Sequence, residues 1–121
     1  LKMSFNPDEF FCHSDGTILQ GGFVTTMLDA SMAFLIMQIL EFKKVPLSID
    51  INVNFLASGG PKLTIAEAKV IKIGKSIAFS SAELFQGNQL IATASSSIKL
   101  KDFQSKNWIN QTLGKNLKII K

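Results

Sequence analysis

The stretch FVTTMLDASMAFLIMQILEFKKVPLSIDINVNF, at residues 23–55, changes its hydrophobic pattern once and is the strongest indication of the fold. In its first part, residues 23–42, Met, Leu, Ala, Ile and Phe dominate and neither Gly nor Pro occurs, which predicts one long α-helix. Because apolar residues lie on nearly all sides of this helix, other elements must enclose it. Lys43, Lys44 and Pro46 mark its end, since proline cannot continue a helix.

Strict alternation of apolar and polar residues follows over residues 48–55 and predicts a strand with one buried face. The apolar members are predicted to share one face, and they are Ile49, Ile51, Val53 and Phe55. The polar members are predicted to share the other face, and they are Ser48, Asp50, Asn52 and Asn54. Three further strands are predicted, at residues 62–73, 76–86 and 90–101.

The order of these elements indicates the fold class. Short turns at residues 74–75 and 87–88 join the strands, so neighbouring strands run antiparallel. A short strand is predicted at residues 17–19, and no regular element is predicted in residues 1–15. One helix followed by a meander of four strands predicts an α+β fold in which a curved antiparallel sheet wraps one long central helix. A single sheet face cannot cover a helix that is apolar all round, so a second subunit is expected to cover the rest.

Length and charge indicate how the chain is organised. Its 121 residues suit one domain, and we predict a single domain over residues 1–101 and a basic C-terminal tail over residues 102–121. Residues 101–121 hold five Lys and one acidic residue, whereas residues 1–100 hold eight Lys and eight acidic residues. Apolar residues spaced by about one helical turn in the tail predict a terminal helix packed on the body or on a neighbour. The alternative is a basic amphipathic segment that touches an anionic membrane.

Composition also excludes several classes of partner and ligand. All 13 basic residues are Lys and their excess lies in the tail, so nucleic-acid binding is not expected. With one Cys and one His, the chain has no disulfide pair, and no metal or cofactor is expected. Polar residues, Asp29 among them, interrupt the apolar helix, so stable membrane insertion is not expected.

The start of the chain bears on the compartment. No basic segment followed by an apolar one is visible there, so no signal peptide is expected. A cytoplasmic, reducing compartment is therefore expected. The first residue is Leu1 rather than Met, which indicates that residues upstream of it are absent.

Asp29 is a candidate for chemistry on physical grounds. It is the only charged residue between Gly16 and Leu40, and it lies inside the apolar helix, where Asp has a low propensity. A carboxylate buried there without partners would cost several kcal/mol or become protonated. Two interpretations stay open at this point, a functional carboxylate and a structural Asp that is exposed or hydrogen-bonded.

Gln20, Gly21 and Gly22 directly precede the apolar helix. The N–H groups at a helix start lack internal partners, and they form a site for an anion or a developing oxyanion. Glycine also permits the close approach of a ligand. We therefore expect one helix to present both oxyanion donors, at its start, and the carboxylate of Asp29.

Four segments together resemble the hotdog-fold acyl-CoA thioesterases of the phenylacetate-pathway (PaaI-like) type. The first is similar to the family's His-Gly-Gly pattern with an acid following, and the spacing from Gly21 to Asp29 matches. The segments are GTILQGGFVTTMLDA at residues 16–30, LSIDINVNFL at 47–56, IGKSIAF at 73–79 and QLIATA at 89–94. The resemblance covers about residues 14–100 in the right order, and it implies a hotdog fold.

The resemblance implies that the protein hydrolyses an acyl-CoA thioester to free acid and CoA. Asp29 would act as general base on water or as nucleophile. The Gly21 N–H would polarise the thioester carbonyl, with Gly22 beside it, and Ser48 would help to position the water. The residues at the family's coenzyme A contact are Gly74, Lys75 and Ser76.

Two positions depart from the family pattern. Gln20 stands where the common residue is His, and its amide can hold a loop or a carbonyl but cannot transfer a proton at neutral pH. His13 and Ser14 stand where some relatives have Asn, and Ser14 is a candidate for a hydrogen bond to substrate.

The family pattern further implies a homodimer or a homotetramer, with the acyl chain in an apolar tunnel between helices of two subunits. Asp29 would come from one subunit and the Gly21 donor from the other. The alternative function is a hotdog protein that binds acyl-CoA or a lipid without turning it over. A dehydratase-like hotdog ranks last, because it needs an Asp and His pair and His13 lies upstream of the helix.

Overall fold

One long helix and seven strands occur in residues 1–102, which are the residues that the computed structural model describes. The tail helix predicted from the sequence lies outside the described residues, and the boundary between domain and tail stays a prediction. In chain order the elements are β1 (Lys2–Phe5), a short 3-10 helix (Glu9–Phe11), β2 (Cys12–His13), β3 (Ile18–Leu19), α1 (Gly21–Ile39), β4 (Lys44–Phe55), β5 (Thr64–Ile73), β6 (Ile77–Gln86) and β7 (Gln89–Asp102).

The main sheet has five strands in the order β1-β5-β6-β7-β4, and every neighbouring pair is antiparallel. The α1 helix packs on one face of this sheet and contacts all five of its strands. The predicted α+β architecture of one long helix wrapped by a curved antiparallel sheet is therefore confirmed. The predicted meander is wrong for its first strand, because β4 pairs with β7 and not with β5. The predicted turn at residues 87–88 is also present, and Gly87 adopts a φ of 61° there.

Strand β1 is an element that the sequence pattern did not predict. It pairs with β5, from Lys2 opposite Glu67 to Phe5 opposite Thr64, and this makes the sheet five-stranded rather than four-stranded. The Lys2 ammonium also lies 3.3 Å from the Glu67 carboxylate. An edge strand held by backbone pairing needs no strict alternation of its own, which is why this segment resembled a polar terminus.

The helix and the sheet meet through side chains of very different size. The buried residues of α1 are Val24, Met27, Leu28, Ser31, Met32, Leu35 and Ile36. The small sheet residues in the same core cluster are Ala66, Ala68, Ala78, Ala82, Ala92 and Ala94. Alanines on the sheet let a helix with large side chains approach closely while the interior stays densely packed. Each fully buried Leu, Ile or Met contributes about 1.5–3 kcal/mol to folding.

The ends of α1 differ from the predicted ends at residues 23 and 42. The helix begins at Gly21, because Gln20 has an extended backbone and its carbonyl accepts the first helical bonds. It ends at Ile39, because Glu41 and Phe42 adopt left-handed φ values of 54° and 59°. A left-handed residue closes a helix by letting the following N–H groups reach its last carbonyls.

By length and composition α1 is the one helix of residues 1–102 that is apolar enough to cross a membrane. Its position in the fold explains this composition without a membrane. Leu28, Met32 and Ile36 are fully buried against the sheet. The apolar sequence is therefore that of a core helix.

Strand β4 begins at Lys44, four residues before the predicted strand. Proline is accommodated at position 46 because β4 is an edge of the sheet, where one side of the backbone has no ladder partner. At the start of the strand the Lys44 ammonium donates to the Asp102 carboxylate of β7. This bond and the Lys44 charge lower the pKa of the exposed Asp102 carboxyl.

The turn between β5 and β6 has no room for a side chain at Gly74, and we predict that Gly74→Ala lowers the free energy of unfolding by about 1–3 kcal/mol. The Gly74 N–H donates to the Ile77 carbonyl at 2.8 Å, and an added Cβ would lie 2.9 Å from that oxygen. Urea unfolding measures the effect. Gly22→Ala is the matched control, because its Cβ would meet nothing within 4 Å. Equal stability of the two variants would contradict the close contact.

Candidate active site

Asp29 and Ser48 meet at the side of α1 that faces β4. The Ser48 hydroxyl donates a hydrogen bond of 2.7 Å to Asp29 Oδ1. In the single chain Asp29 is half-buried and Ser48 is exposed, so the carboxylate is neither sealed in the core nor without a partner. A carboxylate that is held by a donor and remains open on one side can accept a proton from water.

A β-bulge turns Ser48 toward the helix. The register shifts between Ser48 and Asp50, so that Ser48 lies opposite Ile98 and Asp50 lies opposite Ser97. Ile98 is fully buried, and directly opposed residues share a face, so Ser48 points to the helix side. The predicted face shared by Ser48 and Asp50 is therefore wrong, because the extra residue of the bulge reverses the alternation. Ile49, predicted to be buried, is 57% exposed at the bulge.

The start of α1 presents backbone donors that the fold does not use. Gln20 is the N-cap residue, and its carbonyl accepts hydrogen bonds from the Phe23 and Val24 N–H groups at 3.0 and 3.1 Å. Within residues 1–102 the Gly21 and Gly22 N–H groups donate to no protein acceptor. Unpaired N–H groups at a helix start attract an anion or a carbonyl oxygen that becomes negative in a reaction.

Two other segments hold this helix start through backbone bonds. The Gln20 N–H donates to the Phe11 carbonyl at 3.0 Å, and the Leu19 N–H donates to the Gly59 carbonyl at 2.8 Å. The exposed Gln20 side chain makes no capping bond to the helix. Among the described residues 1–102 its amide has no hydrogen-bond partner, and its backbone carries the structural role.

A pocket of about 230 Å³ opens beside Gly21. Its walls are apolar side chains and backbone, and the lining residues are Ile18, Leu19, Gly21, Val24, Phe55, Ala57, Ser58, Gly59 and Ile91. The Phe55 ring lies so close that a Cβ added to Gly21 would be 3.3 Å from it. Except for Gly21, none of these residues was a predicted site residue. Three separate segments supply the pocket, residues 18–24, residues 55–59 and Ile91, and no local pattern brings them together.

The carboxylate and the donors are separated along one helix. Gly21 and Asp29 are eight residues apart in the sequence. At 1.5 Å per residue this is about 12 Å along the axis. A ligand oxygen that accepts a bond from the Gly21 N–H of one chain is therefore out of reach of Asp29 in the same chain.

The other predicted site residues lie on exposed turns. Gly74, Lys75 and Ser76 connect β5 to β6, and the Ser76 carbonyl accepts a hydrogen bond of 2.8 Å from the Leu100 N–H. Lys75 and Ser76 are exposed. Ser14 lies in the turn between β2 and β3 with a φ of 54°, and its Oγ is 2.9 Å from His13 Nδ1. The structure therefore does not join Ser14 to the Asp29–Ser48 pair. No cluster of metal-ligating side chains occurs in residues 1–102.

Comparison with known proteins assigns the class. Residues 16–93 match the model of the thioesterase superfamily, and the chain belongs to this family. Its helix-on-sheet architecture is the hotdog fold of that family. The family resemblance seen in the sequence is confirmed.

Three individual proteins illustrate the similarity. "Putative esterase PA0474" of Pseudomonas aeruginosa is 29% identical over 97 residues, which are 78% of this chain and 71% of the relative. A phenylacetic acid degradation-related protein of Ralstonia eutropha JMP134 is 26% identical with a TM-score of 0.77, over 82% of this chain and 74% of that chain. The BH2602 protein of Bacillus halodurans, solved with CoA, is 15% identical with a TM-score of 0.76, over 82% of this chain and 66% of that chain.

The unused donors at the helix start predict a pattern of amide exchange. The Gly21 and Gly22 N–H groups should exchange with deuterium at least about tenfold faster than the Val24 N–H, which is bonded to the Gln20 carbonyl. Amide exchange followed by NMR on the ligand-free protein measures this. Equal protection of Gly21 and Val24 would show that another group already occupies the donors.

Proposed function

We propose that this protein is an acyl-CoA thioesterase that hydrolyses an acyl-CoA thioester to the free acid and CoA. The observation that carries the proposal is the Asp29 carboxylate, held by Ser48 at 2.7 Å, on a helix whose first two N–H groups are unused. Membership of the thioesterase superfamily supports the reaction type. The structurally similar BH2602 protein was solved with CoA, which supports CoA as the thiol.

In the general-base route, Asp29 takes a proton from a water molecule as the water oxygen attacks the thioester carbonyl carbon. The Gly21 N–H stabilises the negative charge that develops on the carbonyl oxygen. The tetrahedral intermediate then breaks its C–S bond, and the departing sulfur takes the proton from Asp29. The products are a carboxylic acid and CoA thiol, and the carboxylate is restored.

In the nucleophilic route, the Asp29 carboxylate attacks the same carbon and expels CoA, which leaves an anhydride that water hydrolyses. Both routes need the same carboxylate and the same backbone donors. In both, the Ser48 hydroxyl holds one carboxylate oxygen, so the other oxygen is directed at the reacting atom. Gln20 cannot supply a proton, but its free amide can hydrogen-bond the carbonyl.

A complete site takes two chains. Because about 12 Å separates Gly21 from Asp29 along α1, the donors and the carboxylate must come from different copies. Ala33 and Met37 lie on the side of α1 opposite its buried residues and are only half-buried, which leaves apolar surface for a second copy to bury. We therefore propose a homodimer, alone or as a dimer of dimers, with two equivalent sites.

The coenzyme A part of the substrate would lie along the exposed turn of residues 74–76. Lys75 offers a point charge for a phosphate group, and the Ser76 hydroxyl offers a hydrogen-bond donor. Gly22 is exposed at the helix start and leaves room for the substrate, and Ser14 is available for a further hydrogen bond. We propose a cytoplasmic location, where the single Cys stays reduced.

Loss of the carboxylate charge should stop turnover. Asp29→Asn is expected to lower kcat by about 100- to 10,000-fold, because an amide cannot accept the proton, while binding of acyl-CoA persists. Thiol release from an acyl-CoA panel measures the rate, and calorimetry measures binding. Asp50→Asn is the matched control, since Asp50 is an exposed Asp of β4 that accepts the Ser97 N–H.

Two results would contradict the proposed reaction. Wild-type turnover by Asp29→Asn would remove Asp29 from the reaction. Tight binding of acyl-CoA by the wild-type protein without thiol release would favour the second candidate, a hotdog protein that only binds its ligand. The unused Gln20 amide, in place of a residue that transfers protons, is the feature that favours this second function.

Removal of the Gly21 N–H alone should slow the reaction, because this group is the proposed oxyanion donor. Gly21→Pro is expected to lower kcat by about 100- to 1,000-fold. Proline is accepted at the first helical position, and Gln20 already has the extended φ and ψ of −69° and 139° that precede proline. Gly21→Ala is the matched control, because it adds a similar contact with Phe55 but keeps the N–H.

Mixing the two inactive variants tests whether the site is shared. Asp29→Asn and Gly21→Pro chains, unfolded and refolded together, should recover about a quarter of the wild-type rate, since each mixed two-fold dimer has one intact site. A mixture that stays inactive, although native mass spectrometry detects mixed dimers, would place both groups of the site in one chain.

A further inference from the structure

Gln86 is a buried amide at the last position of β6 whose hydrogen bonds all go to neighbouring segments. It is 4% exposed and follows the core-facing row of its strand. Its Oε1 accepts the Gly60 N–H at 3.0 Å. Its Nε2 donates to the Gly60 carbonyl at 2.8 Å and to Thr64 Oγ1 at 2.9 Å. An amide that both accepts from and donates to one backbone residue holds that residue in place and in orientation.

The segment that Gln86 holds is the loop between β4 and β5. Residues 57–59 of this loop form one wall of the 230 Å³ pocket beside Gly21. Gly59 packs directly on Gln86 and Ile91, and a Cβ added to it would lie 3.1 Å from Gln86 Oε1 and 3.0 Å from Ile91 Cδ1. The position of this pocket wall therefore depends on the position of the Gln86 side chain behind it.

The same loop also holds the strand that leads into α1. The Gly59 carbonyl accepts the Leu19 N–H at 2.8 Å, and Leu19 is followed by Gln20 and Gly21. A chain of contacts thus runs from Gln86 through Gly60 and Gly59 to Leu19, and it ends at the backbone donor of Gly21. Without the Gln86 amide, the Gly60 N–H and carbonyl would lose their hydrogen bonds to Gln86. The loop would then move so that these two groups find other partners.

We propose that Gln86 is a positioning residue that sets the distance between the Gly21 donor and the pocket wall, and that it thereby controls rate and acyl-group selectivity. This inference rests on the proposed thioesterase function. The pocket lies beside the carbonyl donor and its side-chain lining is mainly apolar, so it receives the apolar group attached to the thioester carbon. Gln86 does not touch the substrate in this arrangement. It acts through Gly59, Gly60 and Leu19.

The test compares Gln86→Met with Gln89→Met. Methionine has nearly the shape of glutamine but cannot make the three hydrogen bonds. Gln89 stands opposite Gln86 in the same hairpin and is exposed, so it controls for the substitution itself. Steady-state kinetics with acetyl-, hexanoyl- and phenylacetyl-CoA give kcat and KM for each ester. In Gln86→Met we expect kcat to fall by about tenfold or more, since small displacements of positioned groups have effects of this order.

The kcat/KM ratio between phenylacetyl-CoA and acetyl-CoA should also change by about fivefold or more, because an aryl group senses the pocket wall and an acetyl group does not. A residue with only a structural role would lower the melting temperature and leave this ratio unchanged. Deuterium exchange adds a readout that needs no turnover. The Leu19 N–H should exchange about tenfold faster in Gln86→Met, while the Leu100 N–H, bonded to Ser76 on another turn, should not change.

A second variant, Gly59→Ala, changes the loop residue that packs on Gln86 instead of Gln86 itself. Gly59→Ala leaves the Gln86 amide intact but forces its added Cβ against Ile91 and Gln86, so it should change the same selectivity ratio. If Gln86→Met does not fold, Gly59→Ala decides the question. An unchanged selectivity ratio, or unchanged Leu19 exchange, in a folded loop variant overturns the proposal. Failure of the wild-type protein to cleave any of the esters is a different result, which refutes the proposed function and with it this role of Gln86.

Discussion

The packing of α1 on an alanine-lined sheet face is the constraint on which the rest of this structure depends. Large residues such as Leu28 and Met32 fill the space above small sheet residues such as Ala82 and Ala94, which leaves the helix one rotation about its axis. That rotation puts Asp29 on the flank of the helix, beside β4, rather than in the core. A turn of one residue, about 100°, would bury the carboxylate or remove it from Ser48.

The same constraint explains why the start of the helix can serve as a site. Its first turn is anchored from outside by backbone bonds to Phe11 and Gly59, so the helix needs no side-chain cap from Gln20. The Gly21 and Gly22 N–H groups therefore stay open to a ligand. Rigid anchoring matters for chemistry, because an oxyanion donor is effective only where its position does not relax during the reaction.

The α1 helix carries the Asp29 carboxylate in its middle and the Gly21 donor at its start, so its geometry keeps the two groups apart. The separation of about 12 Å is a property of helix geometry and not of this sequence. The proposed two-fold dimer would bring the middle of one helix to the start of the other, which a single chain cannot do. Two features support this proposal: Ala33 and Met37 on the side of α1 away from the sheet are only half-buried, and β4 is an edge strand.

The hydrophobic pattern of residues 23–55, read alone, determined one enclosed helix followed by a long strand, because periodicity is a local property that follows from side-chain direction. It also singled out Asp29, since a lone charge within an apolar helix is visible without a fold. What only the tertiary structure decided is which partners these residues meet. The bulge that turns Ser48 toward Asp29 and the pairing of β1 arise from the register with other strands. The Gln86 contacts join residues that are 22 and 26 positions apart. Such contacts depend on backbone groups of distant segments, which carry no signature in the residues themselves.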